Sequence, residues 1–175
     1  RQQNRNGLLG RDPSVDGIKT GHTESAGYCL LTSAQRNGTR LVSVVFGAKS
    51  FKGREDASAA LLNYGFTFFE TVKVKGKGET IATARVYKGA EENIAVAPAR
   101  DVVVTTGRGA AASLKTTYTL KEPLVAPLAA NQVVGEMVVS DGSEVVAKLP
   151  LYPAKAVAEG GIFTRLSDSV SLWMR

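Results

Sequence analysis

With 175 residues, 43% of them hydrophobic, the chain can bury enough apolar surface for one generous domain or two small ones, and it is expected to be globular and ordered. The formal net charge of +6 is unevenly spread: up to Arg54 there are 9 Lys and Arg against 3 Asp and Glu, and from Glu55 onward 13 of each, so the first third attracts an anion. No apolar run nears the roughly 20 residues that span a bilayer, one cysteine (Cys29) excludes an internal disulfide, and one histidine (His22) beside it leaves too few ligands for a zinc site.

The sequence does not open on Met, and "RQQNRNGLLG" has no apolar signal core. It is therefore expected to be a piece of a longer precursor. Next, "DGIKTGHT" reads as a strand with Lys19, Thr20 and Gly21 side by side near its head, three positions that suit a ligand lying along the strand. The short link "ESAG" leads to two apolar runs, "GYCLLTSA" and "RLVSVVF", joined around Asn37-Gly38. Both of those turn residues accept the positive φ of a type I′ turn, so a tight antiparallel pair is predicted.

After Gly53 the apolar period lengthens. Ala57, Ala60, Leu61, Tyr64 and Phe68 fall on one stripe of a helix predicted from about Arg54 to Phe69, with Glu55 and Asp56 suited to its N-terminus. Beyond Thr71 the runs are short and β-rich, as in "TVKVKGKGETIATARVY", "DVVVTT", "KTTYTL" and "NQVVGEMVVSDGSEVVAKLPLY", the last turning at Asp141-Gly142. That spacing predicts a small sandwich beginning near residue 71. In the closing "GIFTRLSDSVSLWMR", Ile162, Phe163, Leu166, Val170, Trp173 and Met174 line one helical side, and Arg165, Ser167, Asp168 and Ser171 the other. Such a helix can lie flat in a membrane interface or pack back on the sandwich.

The stretch around Lys19-Thr20-Gly21, continued through "LVSVVFGAKSFKGRE", "LLNYGFTFFETV" and "APLAANQVVGEMV", resembles the low-molecular-mass penicillin-binding proteins that act as D-alanyl-D-alanine carboxypeptidases. The similarity covers essentially all 175 residues. It implies an α/β plus all-β architecture: the C-terminal strands and helix of a β-lactamase/transpeptidase-like domain (1–70), a β-rich second domain (71–160) and an amphipathic membrane-surface tail (161–175). The family site uses Ser-x-x-Lys, Ser-x-Asn and Lys-Thr-Gly motifs. Only the last stands here, since no serine is followed three positions later by lysine. By the resemblance, the nucleophile serine is absent from the chain and lies upstream of Arg1.

The same resemblance implies roles for the residues that are present. A stem peptide ending in D-Ala-D-Ala lies antiparallel to the strand, Lys19 and Thr20 meet its terminal carboxylate or acyl group, and Gly21 lets its backbone come close. The His22 backbone N–H supplies one half of the oxyanion hole, and Arg54 helps hold the carboxylate near the mouth. A helix-start Arg54 paired with Glu55 or Asp56, or left in solvent, is the rival reading. Cys29, in an apolar run, is expected to be a small buried side chain. Acyl transfer from such a site needs no cofactor, and β-lactams, resembling the dipeptide, are trapped as acyl-enzymes. The implied location is periplasmic, peripherally attached to the outer face of the inner membrane.

A non-catalytic module that binds wall peptide or anchors as a stalk is the alternative. A class A β-lactamase shares the triplet but lacks the β-rich second domain and tail. Nucleic acid is disfavoured as a partner, because no aromatic platform interleaves the cations.

Overall fold

The structure, a computed structural model, describes residues 4–174. In chain order it contains α1 (Leu8–Arg11), β1 (Val15–Thr23), β2 (Gly27–Arg36), β3 (Thr39–Ala48), α2 (Phe51–Phe68), β4 (Phe69–Lys75), β5 (Ala82–Tyr87), β6 (Asn93–Pro98) and β7 (Val102–Gly107). A short 3-10 turn leads to β8 (Leu114–Leu120), followed by β9 (Leu124–Val125), β10 (Gly135–Asp141), β11 (Glu144–Pro153) and α3 (Ile162–Trp173). The chain divides into two compact units. One runs up to Thr71 and includes Thr105–Gly109, and the other comprises Val72–Val104 and the residues from Ala110 onward.

In the first unit β1, β2 and β3 form an antiparallel sheet in that order. The β2–β3 hairpin closes at Asn37 and Gly38, with φ of 49° and 80°, the positive values the Asn-Gly pair was expected to accept. Helix α2 covers one face of the sheet, and Leu30, Ala34, Leu62 and Phe66 form the core between them with Leu8 and Val15. Two sequence expectations for α2 are corrected. It starts at Phe51, because the Ser50 hydroxyl accepts the Gly53 N–H and caps the first turn. Its buried stripe is Arg54, Ser58, Leu62 and Phe66, whereas Ala57, Ala60, Leu61, Tyr64 and Phe68 are exposed. The helix is apolar on two sides, and hydrophobic period alone does not say which side meets the sheet.

The second unit holds a six-stranded sheet in the order β8-β10-β11-β6-β5-β9, and β4 pairs with β7 in a two-stranded ribbon. Val86, Val96, Val102, Met137, Val139 and Leu151 are buried in its core, as the alternation of burial along β7 and β10 requires. The β10–β11 turn lies one residue later than expected: Asp141 pairs with Glu144, so Gly142 and Ser143 make the loop and Gly142 takes the positive φ of 58°.

Helix α3 belongs to this unit, and one side chain ties it down. Asp168, only 7% exposed, accepts the Lys88 backbone N–H at 2.5 Å and an Arg85 guanidinium N–H at 3.3 Å. Leaving the Lys88 N–H without its acceptor costs about 1–3 kcal/mol. Asp168→Ala is accordingly expected to speed amide exchange over residues 162–173 while the six-stranded sheet melts as before. Unchanged exchange in α3 would show that other contacts hold it.

Candidate active site

Strand β1 is an edge strand among the described residues, so its outward N–H and C=O groups are open to pairing with an extended ligand. Its placement is fixed from both ends. Before it, the Asp12 carboxylate accepts from Ser14 and takes an ion pair from Arg36 at 2.6 Å. Ser14 first, through its hydroxyl and N–H, and then Arg36 hold the Asp12 carboxyl below the usual carboxylate range. Across from it, Lys19 pairs in register with Leu31, Thr20 with Leu30, Gly21 with Cys29 and His22 with Tyr28.

A pocket of about 380 Å³ opens along this edge, lined by Arg5, Lys19, Thr20, Gly21, His22, Tyr28, Phe51 and Arg54. It brings together all five residues singled out in the sequence. Its ionisable lining is basic apart from Tyr28 (Arg5, Lys19, His22, Arg54), an arrangement that attracts a carboxylate. Lys19 is exposed, and its ammonium donates to the Thr20 carbonyl at 2.6 Å. The His22 ring rests on Tyr28 with centroids 4.0 Å apart, and Tyr28 is followed by Phe51 at 5.4 Å. Tyr28, Phe51 and Arg5 were not foreseen as pocket residues. Cys29 is half-buried, its thiol directed at the Ala26 carbonyl.

Arg54 is 1% exposed. Its Nη1 donates to the Gly21 carbonyl at 3.2 Å and the Cys29 carbonyl at 3.3 Å, and its Nη2 to the Arg5 carbonyl at 2.9 Å. The guanidinium carbon stands 4.2 Å from the Phe51 ring centre. Neither form of the rival reading holds: Glu55 and Asp56 pair with Arg11, Asp56 also with Lys52, and Arg54 is out of solvent. Among the described residues no group of three or more His, Cys, Asp or Glu is placed to hold a metal ion.

Comparison with known proteins identifies the family. The profile described as "Penicillin-binding protein 5, C-terminal domain" matches residues 69–159, and the one described as "D-alanyl-D-alanine carboxypeptidase" matches residues 1–50. The chain belongs to the low-molecular-mass penicillin-binding proteins of the D-alanyl-D-alanine carboxypeptidase family. Its members include the D-alanyl-D-alanine carboxypeptidase DacD of Salmonella typhimurium, 41% identical over 95% of this chain and 43% of that protein. DacA of Escherichia coli K12 is 41% identical over 98% of this chain and 43% of its own length. Among solved penicillin-binding proteins, penicillin binding protein 5 from Haemophilus influenzae aligns with a TM-score of 0.82 at 40% identity, covering 90% of this chain and 47% of that one. The chain thus spans less than half the length of these family members.

Proposed function

We propose that this chain is the C-terminal portion of a serine D-alanyl-D-alanine carboxypeptidase that removes the terminal D-alanine from peptidoglycan stem peptides and is acylated by β-lactams. The observation that carries the reading is the convergence of Lys19, Thr20, Gly21, His22 and Arg54 on one basic pocket beside an open strand edge. The stem peptide adds to β1 as a further strand, held by main-chain hydrogen bonds. Lys19 and the Thr20 hydroxyl receive the terminal carboxylate or the nearby acyl group. A serine from the part of the protein that this chain does not span attacks the carbonyl between the two D-alanines. The resulting oxyanion is received by the His22 N–H, D-alanine leaves with the proton it needs as an amine, and water hydrolyses the acyl-enzyme.

The test compares the full-length protein with residues 1–175 alone. The full-length protein is expected to release D-alanine from a pentapeptide and to bind a fluorescent penicillin covalently. The isolated chain is expected to do neither. Labelling of the isolated chain would reveal a nucleophile within it, and an inert full-length protein would favour a module that binds wall peptide or serves as a stalk.

The tail is part of the same proposal. No helix of the described residues is long and apolar enough to cross a membrane, yet α3 turns Ile162, Phe163, Leu166, Val170, Trp173 and Met174 outward, with Phe163 and Trp173 88% and 87% exposed. That face supports peripheral attachment to the outer face of the inner membrane from the periplasm. Deleting residues 161–175 is expected to move the full-length protein from the membrane pellet to the supernatant. Persistent sedimentation of the deletion would point to another anchor.

A further inference from the structure

Arg54 is the largest fully buried side chain among the described residues, and burying a guanidinium is costly unless its donors are met. Three of its bonds go to main-chain carbonyls drawn from three segments that surround the pocket: Gly21 on β1, Cys29 on β2, and Arg5 ahead of α1. Gly21 and Cys29 are partners in the β1–β2 register, so one rigid fork spans the pair from α2. Phe51 packs against the face of the guanidinium at 4.2 Å, while the Nε–H finds no hydrogen-bond partner among the described residues.

The bond to Gly21 has a chemical consequence. The Gly21 carbonyl and the His22 N–H are the two ends of one peptide group, and that peptide is trans, so they point in opposite directions in one plane. A cation donating to the oxygen draws electron density from the nitrogen and strengthens the N–H at the other end as a donor. It also fixes the plane in which that N–H lies.

We propose that Arg54 is a positioning residue of the acyl transfer: by holding the Gly21 carbonyl it orients and polarises the His22 N–H that receives the oxyanion. This rests on the function proposed above. It differs from a direct contact between Arg54 and the substrate carboxylate, which predicts a different kinetic pattern. A carboxylate ligand acts on binding of the acid form of the substrate. A residue that shapes the oxyanion hole acts on the transition state, whatever the charge at the end of the peptide.

The experiment uses the full-length protein with Arg54→Lys and Arg54→Gln. For each, kcat and KM are measured on a peptide ending in D-Ala-D-Ala and on the same peptide ending in the D-alanine amide. The acyl carbonyl stretch is recorded after reaction with a β-lactam carrying a ¹³C-labelled ring carbonyl. Expected is a fall in kcat of about 10- to 100-fold on both peptides, somewhat below the loss of an entire oxyanion donor. KM should be little changed, and the acyl carbonyl should shift to higher frequency. A defect confined to KM for the acid peptide, and absent with the amide, would overturn the proposal in favour of a carboxylate ligand.

Should neither variant fold, the wild-type protein still decides. Labelling with [1-¹³C]glycine and [¹⁵N]histidine selects Gly–His peptide groups, of which this chain has one. The Gly21 carbonyl resonance is expected well downfield of an unbonded peptide, and a position typical of free carbonyls would refute the bond. Lys19→Ala separates the two levels. If it too leaves acylation intact, the site reading falls together with this proposal; if it abolishes acylation while the Arg54 variants do not lower kcat, only the role of Arg54 falls.

Discussion

Lys19→Ala in the full-length protein is expected to lower the rate of acylation by a fluorescent penicillin about 30-fold or more while leaving the melting temperature unchanged. The two halves of that expectation have separate causes. Lys19 is exposed, and its ammonium donates to the carbonyl of its own neighbour, Thr20, so no core contact depends on it and surface substitutions of this kind stay within about 0.5 kcal/mol. Removing a cation from opposite a desolvated carboxylate costs about 2–5 kcal/mol, which is about 30-fold at the low end and several thousand-fold at the high end. Acylation at the wild-type rate would strip Lys19 of its role. A lowered melting temperature would mean that the strand needs the side chain for its own sake.

Much of the fold could be read from local chemistry. Asn37-Gly38 specified its turn because few other pairs tolerate positive φ at both positions, and a β-rich second half followed from short runs broken by Gly, Pro and Asn. The failures have a common cause in tertiary choice. The outward stripe of α2, with Leu61, Tyr64 and Phe68, is more apolar than the inward one, which carries Arg54 and Ser58. A sequence pattern ranks stripes by hydrophobicity, whereas the sheet selected the stripe whose small Ser58 and fork-shaped Arg54 fit its surface and its carbonyls.

The site was legible where it is sequential and obscure where it is not. Lys19, Thr20, Gly21 and His22 stand together in the chain. Tyr28 reaches the pocket only through its pairing with His22 across the β1–β2 ladder, and Phe51 through the first turn of α2. The link "ESAG" between β1 and β2 was the available signal for Tyr28: a short connection places the first residues of β2 opposite the last of β1. Arg5 had no such signal. Asp168 was assigned to the polar side of α3 and instead became its buried tether, because the Lys88 N–H and Arg85 that receive it lie 80 and 83 residues away.

Gly21→Ala separates what the fold asks of this residue from what a ligand asks. A methyl group built on Gly21 meets only the Cys29 Cβ, at 3.6 Å, an ordinary contact, and the Gly21 backbone is not in the left-handed region. Elsewhere the fold does demand glycine: at Gly135 the same methyl would lie 2.5 Å from the Thr119 carbonyl oxygen, and at Gly160 2.5 Å from that of Gly89. Alanine in place of a strand glycine recovers about 0.5–1 kcal/mol of conformational entropy, so the melting temperature of Gly21→Ala is expected to hold or rise slightly. Acylation is expected to fall, because the methyl occupies the space over which the stem peptide or β-lactam backbone passes. Overfilling a fitted space costs about 1–3 kcal/mol, which corresponds to a loss of roughly 5- to 150-fold. Gly21→Val, with two more carbons over the edge, should lose more. A well-folded Gly21→Ala protein that acylates at the wild-type rate would place the ligand away from β1, and with it the strand addition on which the proposed chemistry depends.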